Sequence, residues 1–155
     1  MIQKIISGAQ TGADRAGIDA AIESGVDYGG WVPRGKKAED GIIPEKYTKL
    51  QELIRGGYPE RTAQNVLDSD GTVIFGHGKL TTGSALTRKL AKHHKKPYLH
   101  IDLDIVKNPL PVIKEWVIEW EIKVLNVAGR KASKAPGIYD AVKDIIKQIL
   151  KSNLK

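Results

Sequence analysis

Three stretches of this chain gather the residue types that hold an anion: small residues that let backbone amides approach, hydroxyls, and an arginine nearby. The first is Ser7-Gly8-Ala9-Gln10-Thr11-Gly12-Ala13-Asp14-Arg15. It separates a strand-like run from a helix-like one, and an anion is favoured at such a helix start. Ser7, Thr11 and Gly12 suit that task, with Gln10 beside them. Asp14 divides evenly between a ligand contact and a helix cap. The second stretch is Gly76-His77-Gly78-Lys79-Leu80-Thr81-Thr82-Gly83-Ser84-Ala85. Thr82, Gly83 and Ser84 open a helix with the same amide-plus-hydroxyl pattern, and the plain alternative is an N-cap by Thr81 or Thr82. The third runs from Asn126 to Gly137 and holds Gly129, Arg130 and Ser133. Arg130 offers a bidentate contact to phosphate or another oxyanion. None of the three is a Walker A loop or a GxGxxG fingerprint, so P-loop ATP hydrolysis is not expected.

Acid/base candidates are fewer. Gly29-Gly30-Trp31-Val32-Pro33-Arg34-Gly35 leads into Ala38-Glu39-Asp40-Gly41, a segment able to cover a ligand, with Gly30 as a ligand-binding candidate. Glu39, Asp40 and Asp14 are weak catalytic candidates, because spacing fixes no partner for any of them. Trp31 reads as core. His77 reads as a surface residue, His93 and His94 as structural, and His100 as a core or edge residue. Asp68-Ser69-Asp70 reads as structural. No metal site is expected: the chain has no Cys and one Met, so a soft metal cage is out of reach.

The elements that must position these loops follow from apolar periodicity. Strands are expected over 2–6, 27–32, 71–75, 98–101 and 124–127. Helices are expected over 13–24, 60–68, 83–94, 110–119 and 137–150. Residues 33–59 read as irregular. Val112, Ile113, Trp116, Val117 and Trp120 should face inward from the fourth helix. Ile138, Ala141, Val142, Ile145, Ile146 and Ile149 should do so from the fifth. Strands alternating with helices imply right-handed βαβ units and a mostly parallel sheet with helices on both sides, one α/β domain over 1–155. Ligands of such sheets sit outside the carboxyl ends of the strands, where these loops lie.

Composition is that of a folded globular chain, 41% hydrophobic and 28% charged. No apolar run approaches the ~20 residues a membrane helix needs. Met1-Ile2-Gln3-Lys4 leads straight into a strand-like run, so no signal peptide is read and a cytoplasmic protein is expected. Net charge is +7. The first 78 residues carry 9 Lys/Arg against 11 Asp/Glu, and the remaining 77 carry 16 against 7. That asymmetry suits an anionic partner. Most of the excess sits on helix faces and helix C-termini, and no aromatics interleave with it, so nucleic acid is an unlikely partner. A homo-oligomer suits this size.

Taken together, residues 7–15, 29–35, 38–41, Arg61-Thr62-Ala63-Gln64-Asn65-Val66, 80–87, Asn126-Val127-Ala128-Gly129-Arg130-Lys131-Ala132-Ser133 and Ala135-Pro136-Gly137-Ile138-Tyr139 strongly resemble one family. It is the putative molybdenum carrier family, also described as circularly permuted YpsA-like proteins of the SLOG superfamily. The resemblance implies a Rossmann-like three-layer sandwich with a ligand site at the strand C-termini. Superfamily relatives include the LOG phosphoribohydrolases and the DprA-type DNA-binding proteins, whose shared theme is a nucleotide or nucleotide-derived ligand. It implies ligand-binding roles for Ser7, Gly8, Gln10, Thr11, Gly12, Asp14, Arg15, Thr82, Gly83, Ser84, Gly129, Arg130 and Ser133. LOG enzymes carry a catalytic Glu just after the comparable Gly/Thr loop, whereas Ala85, Leu86, Thr87 and Arg88 follow here. The ligand class implied is a nucleotide-derived, phosphate-bearing molecule, or molybdenum cofactor or molybdate. An oxyanion such as molybdate is held by amides and hydroxyls as phosphate is. The expectation is a binding protein for that ligand. The alternatives are a hydrolase of a nucleotide-derived substrate and, behind it, a nucleic-acid binder.

Overall fold

The computed structural model describes residues 1–152. Five strands form one parallel sheet: β1 (Lys4–Ile6), β2 (Asp27–Gly29), β7 (Gly71–Gly76), β8 (Tyr98–Asp102) and β9 (Val124–Gly129). Their order is β2-β1-β9-β7-β8. In register, Ile5 lies between Tyr28 and Leu125, and Val73 lies between Val127 and Leu99. Every residue of β7 is buried, as expected of a central strand covered on both faces.

Five helices complete the sandwich: α1 (Ala13–Glu23), α2 (Tyr58–Asp68), α3 (Thr82–His93), α4 (Leu110–Glu119) and α5 (Ile138–Lys151). α1 packs against α5, α5 against α4, and α2 against α3. The stripe Ile138, Val142, Ile145, Ile146 and Ile149 of α5 is buried, together with Ile18, Ala20 and Ala21 of α1. Gly17 lets α1 settle onto β9, since a Cβ there would stand 2.7 Å from that of Val127. The chain runs from β1 outward to β2, and from β7 outward to β8, on opposite sides of β9. This reversal opens a crevice above the carboxyl ends of β1, β9 and β7.

Four expectations need correction. The strand expected over 27–32 breaks at Gly30, whose φ of +130° turns the chain out of the sheet. Its second part becomes β3 (Trp31–Val32), which pairs with β6 (Gln51–Glu52). The stretch read as irregular also carries an antiparallel pair, β4 (Lys37–Ala38) and β5 (Gly41–Ile42). Helix α2 begins two residues early, at Tyr58, because the carboxylate of Glu60 accepts from the N–H of Gly57 and caps the start. Finally, Val112 is 40% exposed and Trp120 53% exposed. Trp120 sits at the C-cap, where the chain leaves α4, and Ala141 of α5 is likewise exposed. No helix among the described residues is long and apolar enough to cross a membrane.

Candidate functional site

The crevice is a cleft of about 700 Å³. Its walls come from the loops after β1 and β9 and from the starts of α2 and α3. One end is basic and rich in free amides. Thr81 precedes α3 in an extended conformation, and no side chain caps the helix. The first amide to find an acceptor is that of Ala85, which donates to the carbonyl of Thr81. The amides of Thr82, Gly83 and Ser84 therefore lack intrahelical partners. Ser84 lines the cleft, is 8% exposed, and its hydroxyl has no hydrogen-bond partner among the described residues. Arg130 leaves the end of β9 and runs along β7, where its Nη2 donates to the carbonyl of His77 at 3.4 Å. Lys131 and Lys134 extend the positive wall.

The same lining holds a buried charge pair. Arg61 of α2 and Asp14 of α1 each have side chains 11% exposed, with Arg61 Nη1 4.0 Å from Asp14 Oδ2. Arg61 Nη1 also donates to the carbonyl of Gly8 at 3.2 Å. Gly8 makes this approach feasible, because a Cβ there would stand 2.2 Å from Cδ of Arg61. Burial raises the Asp14 carboxyl to about 6 against the pull of Arg61, the Gln10 amide and Arg15. Asn126 completes this wall, its Nδ2 donating to Thr72 Oγ1 at 3.2 Å.

The first loop does not offer the open amide cradle its sequence promises. The amide of Ala9 donates to Ser7 Oγ, that of Thr11 to Gln10 Oε1, that of Arg15 to the Gln10 carbonyl, and that of Ala13 to the carbonyl of Arg130. Ser7 is fully buried, and its hydroxyl donates to the Asp14 carbonyl at 2.8 Å. Behind the loop lies the segment after β3. Thr11 and Ser133 both donate hydroxyl hydrogens to the Glu39 carboxylate. Arg15 forms a bidentate pair with Asp40, at 2.7 and 3.2 Å. Desolvation works against the Glu39 carboxylate, but hydrogen bonds from Ser133 and Thr11 outweigh it and hold the group below its usual range. Asp40 is held low chiefly by Arg15.

Of the residues nominated from sequence, Gly8, Gln10, Asp14, Thr82, Gly83, Ser84, Gly129 and Arg130 line the cleft. Ser7, Thr11, Gly12, Arg15, Gly30 and Ser133 do not, nor do Glu39 and Asp40. Gly30 and Gly12 serve close backbone packing: a Cβ would stand 2.1 Å from the Ser7 carbonyl oxygen at Gly30, and 2.4 Å from that of Arg130 at Gly12. Neither Asp14 nor Thr81 acts as the side-chain cap considered above. Sequence reasoning gave no site role to Arg61, Asn65, Tyr58, Thr87 or Asn126, all of which line the cleft. Arg61 and Asn65 lie within a motif that carried the family resemblance, and their buried state, 9% and 2% exposed, was the missing information. His77 pairs with Asp104 at 2.9 Å, and His100 sits half-buried on the edge strand β8. Among the described residues no three His, Asp or Glu side chains converge as a metal site.

No curated protein matches the chain. A crystal structure of "Putative molybdenum carrier protein" from Syntrophus aciditrophicus SB is 52% identical, superposes with a TM-score of 0.93, and covers 96% of this chain and 95% of its own. The circularly permutated YpsA SLOG family model matches residues 5–150, and the chain belongs to that family.

Proposed function

We propose that this protein binds a phosphate-bearing, nucleotide-derived ligand in the cleft, with the phosphate at the start of α3. The observation that carries this reading is the free amide set of Thr82, Gly83 and Ser84 facing a wall of Arg130, Lys131 and Lys134. The unpartnered hydroxyl of Ser84 adds a donor at the same place. Free amides, a hydroxyl and guanidinium together suit a tetrahedral oxyanion.

Volume argues for a ligand larger than the oxyanion alone. A cleft of about 700 Å³ lies in the range of small-molecule sites, roughly 300–1,000 Å³. Tyr58, Pro59 and Leu86 supply apolar surface beside the polar groups. The related protein from Syntrophus aciditrophicus is called a molybdenum carrier. Molybdate would take the α3 end as phosphate does, and molybdenum cofactor, which joins a ring to a phosphate, would use the whole cleft. The residues present favour an oxyanion or its organic ester over a bare cation.

Thermal shift with AMP, ADP-ribose, NAD, inorganic phosphate and molybdate tests the reading. It predicts a rise in Tm with phosphate-bearing organic ligands, larger than with either inorganic anion. No rise with any of them would overturn it.

A further inference from the structure

We propose that Asp14 reads a pair of hydrogen-bond donors on the organic part of the ligand. The inference rests on the proposed phosphate-bearing ligand and specifies its other end. An ionised carboxylate is acceptor-only. It sits in a cleft whose other charged groups, Arg61, Arg130, Lys131 and Lys134, are all positive. A second phosphate beside it would be repelled, whereas hydroxyl or amino hydrogens would be drawn in.

Asp14 is held in place, with the Gln10 backbone amide at its carboxylate, but its acceptor capacity is not used up. Its backbone is pinned by the Ser7 hydroxyl at 2.8 Å. The nearest guanidinium nitrogen, Arg61 Nη1, stands 4.0 Å from Oδ2, beyond hydrogen-bond reach, and that nitrogen already donates to the Gly8 carbonyl. A purely structural ion pair would close to about 2.8 Å. The gap leaves room at the carboxylate for a ligand, with Arg61 setting its orientation from the side.

The shared chemistry, two adjacent donors, occurs in a ribose cis-diol and in the amino–imino edge of a guanine- or pterin-like ring. Isothermal titration separates them. The probes are inorganic phosphate, AMP, 2′,3′-dideoxy-AMP and 2′,3′-dideoxy-GMP, against the wild type and Asp14→Asn. The expected result is that Asp14→Asn weakens the donor-bearing nucleotide about tenfold, the worth of one charge-assisted hydrogen bond, while phosphate binding holds or tightens. A loss confined to AMP assigns the diol, and a loss confined to dideoxy-GMP assigns the ring edge. The dideoxy comparison on the wild type alone stands even if the variant folds poorly.

The charged groups acting on Asp14 are Arg61 from α2 and Arg15 on its own helix, and Arg130, Lys131 and Lys134 of the β9 loop line the same cleft. Between pH 5 and 7.5 the wild-type advantage over Asp14→Asn should therefore grow as the carboxyl loses its proton. The ligand phosphate also titrates near pH 6, equally for both proteins, and cancels. Equal affinities of wild type and variant for every nucleotide, with phosphate still bound, would overturn this inference alone. Absence of binding by any phosphate compound would overturn it together with the function it rests on.

Discussion

Asp14 shows at the scale of one residue how a site and the stability of the fold oppose each other. Its carboxyl is raised from 3.8 to about 6 by burial. The folded protein therefore holds that proton more tightly than the unfolded chain does. Stability falls as pH rises from about 4 to about 6 and stays reduced above. A shift of roughly two units costs on the order of 2–3 kcal/mol. Asp14→Asn removes the charge, so the variant should melt several degrees above the wild type at pH 8. The advantage should vanish near pH 4, as melting curves across that range will show. Gly8 makes a second test. Gly8→Ala forces Arg61 aside through the 2.2 Å approach of its Cβ. It should weaken nucleotide binding by about tenfold or more in a titration, while inorganic phosphate, held at the start of α3, keeps its affinity.

At the scale of elements, the segment from β3 to β6 is a strap fastened over the back of the first loop. Its ties are Glu39 to Thr11 and Ser133, Asp40 to Arg15, and Tyr47 to Asp19 at 2.8 Å. Trp31 adds another, its Nε1 donating to Asp68 at 2.7 Å and its amide to Asn65 at 2.8 Å. Glu39→Gln should lower Tm by a few degrees at pH 7, the worth of about 1 kcal/mol in a chain of this length. The folded-state carboxyl is held below 4.5. Its contribution is present above that pH and lost as pH falls through the folded value, so the variant and the wild type should converge in acid.

The same strap explains what the sequence could not convey about the first loop. Its composition is that of an anion cradle, and helix α1 begins at Ala13, where periodicity places it. Ser7 and Gln10 take up amides of Ala9, Thr11 and Arg15 within the loop, and the remaining partners lie elsewhere: Glu39 is 28 residues from Thr11, and Arg130 caps α1 through its carbonyl. No local pattern reports such contacts. At the start of α3, by contrast, Thr82, Gly83 and Ser84 meet no distant competitor, and the helix begins within a residue of where periodicity places it. The break at Gly30 was hidden because a glycine inside an apolar run is equally compatible with a continuous strand.

For the whole molecule, the sheet order explains why three distant loops share one cleft. β9 lies between β1 and β7, so the last loop in sequence lands between the other two. Alternation of strands and helices made the α/β class readable, but strand order depends on which edges pair, and periodicity is silent on that. The charge asymmetry finds a partial use here: Arg130, Lys131 and Lys134 of the basic half line the cleft, and Lys143 and Lys147 instead pair with Glu23. A ligand held by these cations should bind more weakly as salt rises. Arg130→Ala should weaken AMP by about tenfold and flatten that salt dependence.

A crystal structure of the protein with AMP bound decides whether the phosphate sits at the start of α3. Phosphate density is expected within hydrogen-bond reach of the Thr82, Gly83 and Ser84 amides and of Ser84 Oγ, with Arg130 beside it. Nucleotide density at the Thr11–Glu39–Ser133 cluster, or anywhere outside the cleft, would contradict it.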